Sequence, residues 1–174
     1  MNQYLKGFLI MLISISYFQC LTSPEKSTQK IPLVENLDLD KFTANKWYEI
    51  ARIPIPIGSD WVQTMSSYKK VSDKEIQSIY QGINPDGKVK ELTGKAKIVS
   101  NSLWQISYIP LLYSDYRIIK LTNDYKNTMV TSGTKDYLWI MCSEPFMKDT
   151  VYQEFLNYAK EQGFDINKIE MVKQ

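Results

Sequence analysis

Between Lys46 and Ser143 the chain is a succession of short runs in which apolar and polar residues alternate. The clearest lies at 92–97, where Leu92, Gly94 and Ala96 alternate with Thr93, Lys95 and Lys97. In the next run Trp104, Ile106 and Tyr108 alternate with Gln105 and Ser107. A period of two puts one set on each face of a pleated strand. Such runs, rich in Tyr, Ile, Val, Thr and Trp, predict eight strands over 46–54, 64–71, 74–82, 88–98, 103–109, 115–121, 127–132 and 137–143. Turn chemistry separates them: "SDK" at 72–74, "NPDG" at 84–87, "SNS" at 100–102, "TNDYKN" at 122–127 and "SGTKD" at 132–136.

The period then changes. In "DTVYQEFLNYAKEQG" the residues Val151, Phe155, Tyr158 and Ala159 recur at helical spacing, with Asp149 placed to cap the start and Gly163 to stop the end. "INKIEMVK" at 166–173 reads as a last short strand. Eight sequential antiparallel strands with one helix predict an all-β protein: an up-and-down barrel, the helix packed on its outside, able to enclose one small ligand.

Composition narrows the chemistry. At 174 residues the chain suits one domain with a sizeable core. Its net charge of +2, with no run of one sign, offers no nucleic-acid footprint. Lys88, Lys90, Lys95 and Lys97 read as solvated strand faces. The chain has no histidine, which removes the usual general base, the Ser-His and Cys-His dyads, and the commonest transition-metal and haem ligand. No nucleophile–base pair is evident, so the sequence implies neither an enzyme nor a metal or other cofactor. Its 12 tyrosines and 4 tryptophans carry large apolar bodies with polar tips, which suit a ligand pocket as well as a core.

The N-terminus is of another kind. After Lys6, residues 7–18 form an apolar stretch too short for the roughly 20 residues that span a bilayer. Residues 1–19 read as a secretory signal peptide, which implies export. Cys20 stands where bacterial lipoprotein precursors carry the cysteine that becomes acylated. The usual Leu at −3 and small residues at −2 and −1 are here Tyr17, Phe18 and Gln19. The polar "LTSPEKSTQKIP" that follows suits a flexible tether. The expected organisation is a signal peptide (1–19), an acylated cysteine and tether (20–36) and one domain (37–174). Two alternatives stay open: an ordinary signal peptide, and a disulfide from Cys20 to Cys142, which otherwise is a free buried thiol.

Several ordered motifs carry a resemblance. "LDLDKFTANKWYEIARIP" is similar to the first signature of the lipocalin family, in which a short helix leads into a G-x-W-Y strand. It resembles most the bacterial lipocalins and their apolipoprotein D-like relatives. "NPDGKVKELTGKAK" resembles their third and fourth strands, "SDYRIIKLTNDYKNTMV" the second signature around Asp124 and Tyr125, "KDYLWIMCSEP" the third, and "EQGFDINKI" the end of the helix. Two positions depart from the family: Asn45 stands where the glycine before the tryptophan is usual, and Ser143 where an arginine usually stacks on that tryptophan. Trp47, Tyr48, Arg52, Asp124 and Tyr125 are then structural signature residues. Trp47 either lacks a cation partner or borrows another, such as Arg52.

Alternation places Trp47, Glu49 and Ala51 inward and Tyr48, Ile50 and Arg52 outward. Carrying the family's register along the chain implies an interior of Ser66, Tyr68, Ile76, Ser78, Tyr80, Leu92, Gly94, Ala96, Trp104, Ile106, Tyr108, Tyr116, Ile118, Met129, Thr131, Tyr137, Trp139 and Met141. The small members leave room for an apolar chain, and the tyrosine hydroxyls can meet a polar head. Glu49 needs a hydrogen-bonded or cationic partner if it is buried. Trp61, in the loop after the first strand, is placed as a lid over the mouth, and "IPLLY" at 109–113 as an apolar rim or a contact for membrane or partner.

The implied function is binding, storage or transport of amphipathic lipids (fatty acids, lysophospholipids) by a lipoprotein anchored in the bacterial outer membrane. Its alternative is a surface lipoprotein that binds a protein partner through its loops, the cavity being vestigial. Oligomeric state is left open.

Overall fold

The computed structural model describes residues 31–56 and 58–174, so the signal segment and Cys20 lie outside the described residues. All eight alternating runs become strands: β1 (Lys46–Ile53), β2 (Val62–Ser72), β3 (Glu75–Ile83), β4 (Val89–Ser100), β5 (Leu103–Ile109), β6 (Leu112–Leu121), β7 (Asn127–Thr131) and β8 (Leu138–Cys142). Each pairs antiparallel with the next, and β8 returns to β1. The ring closes between β1 and β2 over only three rungs, Lys46↔Ser67, Trp47↔Ser66 and Tyr48↔Met65. Beyond them residues 170–174 bridge the two strands. There β9 (Glu170–Met171) pairs with Ala51 and Arg52, the Val172 amide donates to the Ile50 carbonyl, and the Gln63 amide donates to the Lys173 carbonyl. The predicted strand at 166–173 is thus shorter, preceded by a 3-10 turn at Ile166–Lys168.

The helix α1 (Leu39–Ala44) is capped by Asp38, whose carboxylate accepts from the Lys41 amide, and buries Leu39 and Phe42 at the closed end. Helix α2 (Asp149–Glu161) lies on the outside with Phe155 and Ala159 buried. Its cap is Lys148, which makes no side-chain bond, and Asp149 is the first helical residue, where its charge still favours the helix N-terminus. Gly163 ends the helix at φ 80°, a left-handed conformation that only glycine adopts freely. The Tyr158 hydroxyl donates to the Ile119 carbonyl, and Lys120 pairs with Glu154 at 2.9 Å, so α2 is fixed to β6.

Two separate cores result. One fills the barrel around Phe42, Trp47, Tyr68, Trp104 and Ile118. The other lies between sheet and helix around Ala51, Ile53, Met129, Ile140 and Phe155. Which strand residues join which core departs from plain alternation at two places. The β1–β8 register shifts between Glu49 and Ala51, and the β6–β7 register shifts between Ile118 and Lys120. An extra residue in one strand reverses the parity beyond it.

Ala51 therefore faces outward under α2, and Arg52, paired with Trp139, faces inward. On β7, Val130 joins the interior, while Met129 packs under the helix and Thr131 pairs with the outward Arg117 and Leu138. Ala51, Arg52, Met129 and Thr131 thus correct the expected register. The last residues of the segment read as tether are also packed on the barrel. Ile31 is buried, and the Val34 amide donates to the Ile118 carbonyl.

Candidate ligand site inside the barrel

The closed end is an aromatic plug. Phe42 stacks on Trp47 with ring centres 4.8 Å apart, Trp104 stacks on Tyr116 at 4.9 Å, and Tyr68 meets Trp104 edge-on at 5.2 Å. Trp47 and Trp104 are fully buried, and their indole N–H groups donate to the Phe42 and Asn101 carbonyls. No cation lies over Trp47 among the described residues: Phe42 covers it, and Arg52 is engaged elsewhere. Asn45 is extended (φ −84°), so the missing glycine costs nothing, and its amide donates to the Tyr125 carbonyl. Tyr125, itself left-handed at φ 57°, accepts the Asp38 amide on its hydroxyl, while Asp124 accepts from Thr122 and the Lys126 amide. These hydrogen bonds hold the Asp124 carboxyl below its usual range. The second signature is thus the strap that holds α1 under the barrel.

Above the plug the interior becomes polar. Tyr68 and Tyr116 share a hydrogen bond between their hydroxyls, and Ser78 pairs with the Tyr108 hydroxyl at 2.7 Å. Tyr108 lies against Gly94, where any Cβ would meet its ring and the Ser107 carbonyl at 2.7 Å. Burial raises the phenols of Tyr68, Tyr80 and Tyr116, and pushes Tyr108 up to about 12, so all four remain neutral.

Nearer the mouth two charges lie inside, Glu49 by plain alternation and Arg52 because the β1 bulge reverses the parity beyond it. Glu49 (2% exposed) accepts on one oxygen from the Arg52 guanidinium at 2.9 Å, the Thr64 hydroxyl at 2.7 Å and the Tyr80 hydroxyl at 3.3 Å. Arg52 (5% exposed) also donates to the Tyr80 hydroxyl at 3.3 Å, the Ser59 carbonyl at 2.6 Å and the Trp61 carbonyl at 3.1 Å. Burial holds the Glu49 carboxyl above its usual range, against the pull of these donors. Trp61 stacks on Tyr80, ring centres 5.7 Å apart, so its side chain turns onto the interior wall.

Of the residues expected to line the interior, Ser66, Tyr68, Ile76, Ser78, Tyr80, Trp104, Ile106, Tyr116 and Ile118 are buried. Leu92, Tyr108 and Trp139 are half-buried, on strand positions that register with this set. Tyr137 lies just before β8, half-buried, and Met129 is outside under α2. Thr64, on the same face as Ser66 and Tyr68, and Val130 are buried residues absent from the expected interior set. Cys142 is buried with no disulfide partner among the described residues. A depression of about 550 Å³ on the outside of β2–β4 is bounded by the outward Lys69, Gln77, Thr93 and Lys95, and belongs to the solvated face. Among the described residues no group of three or more His, Cys, Asp or Glu is placed to hold a metal.

A model of the lipocalin-like domain family matches residues 37–174, from the turn before α1 to the final glutamine. The chain belongs to the lipocalin family. The outer membrane lipoproteins Blc of Citrobacter freundii and Escherichia coli (strain K12) are each 28% identical over 170 residues, covering 95% of this chain and 96% of theirs. Apolipoprotein D of Mus musculus is 26% identical over 156 residues, 82% of this chain and 80% of that one. Among solved structures, the cockroach allergen Per a 4 superposes with a TM-score of 0.63 at 19% identity, covering 80% of this chain and 89% of that one. Apocrustacyanin C2 gives 0.65 at 15%, covering 80% and 81%. Such structural likeness establishes the fold; the ligand must be argued from the interior of this lipocalin.

Proposed function

We propose that this lipocalin binds amphipathic lipids, fatty acids or lysophospholipids, inside its barrel, and does so as a lipoprotein held at the bacterial outer membrane through an acyl chain on Cys20. The observation that carries the reading is the gradient of polarity along the interior. Aromatic rings fill the closed end, hydrogen-bonded pairs of hydroxyls follow, and a buried ion pair stands nearest the mouth. An amphiphile with its chain inward and its head outward matches that order. Export and acylation rest on the N-terminal pattern and on the names of the Blc relatives.

The test is native mass spectrometry on delipidated protein titrated with palmitate and lysophosphatidylcholine, alongside quenching of tryptophan emission. One bound lipid per chain at micromolar concentration is expected, and no adduct with no quenching would refute it. A Cys20→Ser variant should leave the membrane fraction and lose its acyl mass. A second reading, a protein partner held by the loops, is favoured by the β5–β6 tip, where Leu111 is 95% exposed and Leu112 62%. It predicts that partner capture survives when lipid binding is abolished.

A further inference from the structure

We infer that Arg52 is the head-group anchor of this site and that it selects amphiphiles carrying one negative charge, a carboxylate or a phosphodiester. The inference rests on the lipid-binding reading above. Its ground is an imbalance within the Glu49–Arg52 pair. The bonded oxygen of Glu49 takes three donors, so that carboxylate is well answered. The guanidinium is not answered equally: its second amino group, Nη2, rests only on the neutral carbonyls of Ser59 and Trp61. Hydrogen bonds from a guanidinium to an oxyanion are roughly twice as strong as those to neutral acceptors, and the planar fork suits two oxygens at once.

An anionic head whose oxygens take the place of those two carbonyls therefore gains the stronger bonds while leaving the Glu49 contacts intact. Among the described residues Arg52 is the sole buried cation of the interior. The other buried arginine, Arg117, points outward to Asp115 and the Ile31 carbonyl. Glu49 beside it disfavours a second negative charge, so a phosphate monoester fits less well than a phosphodiester. The wall next to this position is the Trp61–Tyr80 stack, which can accommodate the first methylenes.

The experiment compares heads on one chain length, using delipidated full-length protein. Dodecanoate should bind about tenfold or more tighter than dodecanol, and lysophosphatidylglycerol tighter than a monoacylglycerol of equal chain. The two arms separate carboxylate from phosphodiester. Because Arg52→Met alone leaves Glu49 buried without its cation, the variant is the pair Glu49→Gln with Arg52→Met, which should bind dodecanoate and dodecanol alike. Equal binding of acid and alcohol by the wild-type protein, or a preference kept by the double variant, overturns the inference and leaves lipid binding standing. No binding of any amphiphile overturns the reading beneath it. A second measurement needs no variant: the ¹³C-labelled carboxyl of bound dodecanoate should titrate below the free acid, and titration at or above it is contrary to a guanidinium contact.

Discussion

The two ends of this barrel are built on opposite terms. At the closed end β1 and β2 are joined by direct rungs, the side chains are stacked rings, and the polar tips find backbone partners close by. At the open end the same two strands are joined through residues 170–174, and the interior holds an ion pair with two of its bonds on loop carbonyls. The closed end buries apolar area, which is cooperative and insensitive to what occupies the barrel. The open end commits charges to low dielectric, which is costly unless every partner is present. Stability is concentrated below and discrimination above, so substitutions at the two ends should be separable in kind.

The largest effect belongs to the plug. Trp47→Ala removes a fully buried ring stacked on Phe42 and a hydrogen bond, and should cost about 3–5 kcal/mol in urea unfolding. The preference between dodecanoate and dodecanol should be unchanged in the protein that remains folded. A loss below about 1 kcal/mol would mean that the plug is not the foundation of the barrel.

Nearly as large is Arg52→Met, since a buried carboxylate left without its cation costs about 3–5 kcal/mol, whereas removing both charges together is often close to neutral. The double variant with Glu49→Gln should recover most of the loss, measured by the same unfolding curves. The pair also sets a pH dependence. With its pKa raised by burial, Glu49 holds a proton in the folded chain where the unfolded chain has released it. Its contribution is thus full below the ordinary carboxylate range and is lost as pH rises through the raised value. The double variant should lack that slope, and parallel stability–pH curves would count against the assignment.

A step smaller is Gly94→Ala. The added carbon meets a backbone carbonyl and the Tyr108 ring, both at 2.7 Å, so Tyr108 must leave Ser78. Crowding of this size costs about 1–3 kcal/mol, read as a fall in Tm. Because the change lies between plug and ion pair, it should weaken binding of acid and alcohol by the same factor.

How legible these ends were from the sequence follows from what covers each strand. On β4 and β5 the outer face meets water, so Thr93, Lys95, Gln105 and Ser107 mark it unambiguously, and the inward set was read correctly. On β1, β7, β8 and around Ile118–Ile119 of β6 the helix covers the outer face, both faces are apolar, and alternation carries no sign. The bulges fall in such places, at the adjacent apolar residues Ile50–Ala51 and Ile118–Ile119. Those doublets are the one trace the bulges leave in the sequence. Counting by twos through the first put Arg52 outside and hid the residue proposed to hold the head group, while the family's register carried onto β7 put Met129 inside. The need of Glu49 for a partner was legible from its parity; the identity of that partner was not.

The smallest effect tests the junction itself. The Gln174 side-chain amide donates to the Glu49 carbonyl at 2.5 Å and the Thr64 carbonyl at 3.3 Å, one on each strand, where the β1–β2 rungs have ended. Those two residues also bond to each other, Thr64 to Glu49, inside the barrel. Gln174→Ala deletes a bridge between two part-buried carbonyls, each bound by a single neutral amide, so the net cost should be about 1 kcal/mol. Amide exchange localises it better than global stability. Exchange at Gln63, whose amide donates to Lys173, and at Val172, which donates to Ile50, should accelerate several-fold, while residues 46–48 keep their protection. Acceleration spread equally over both ends would mean that the barrel opens as one unit, and the division between a fixed floor and an adjustable mouth would be lost.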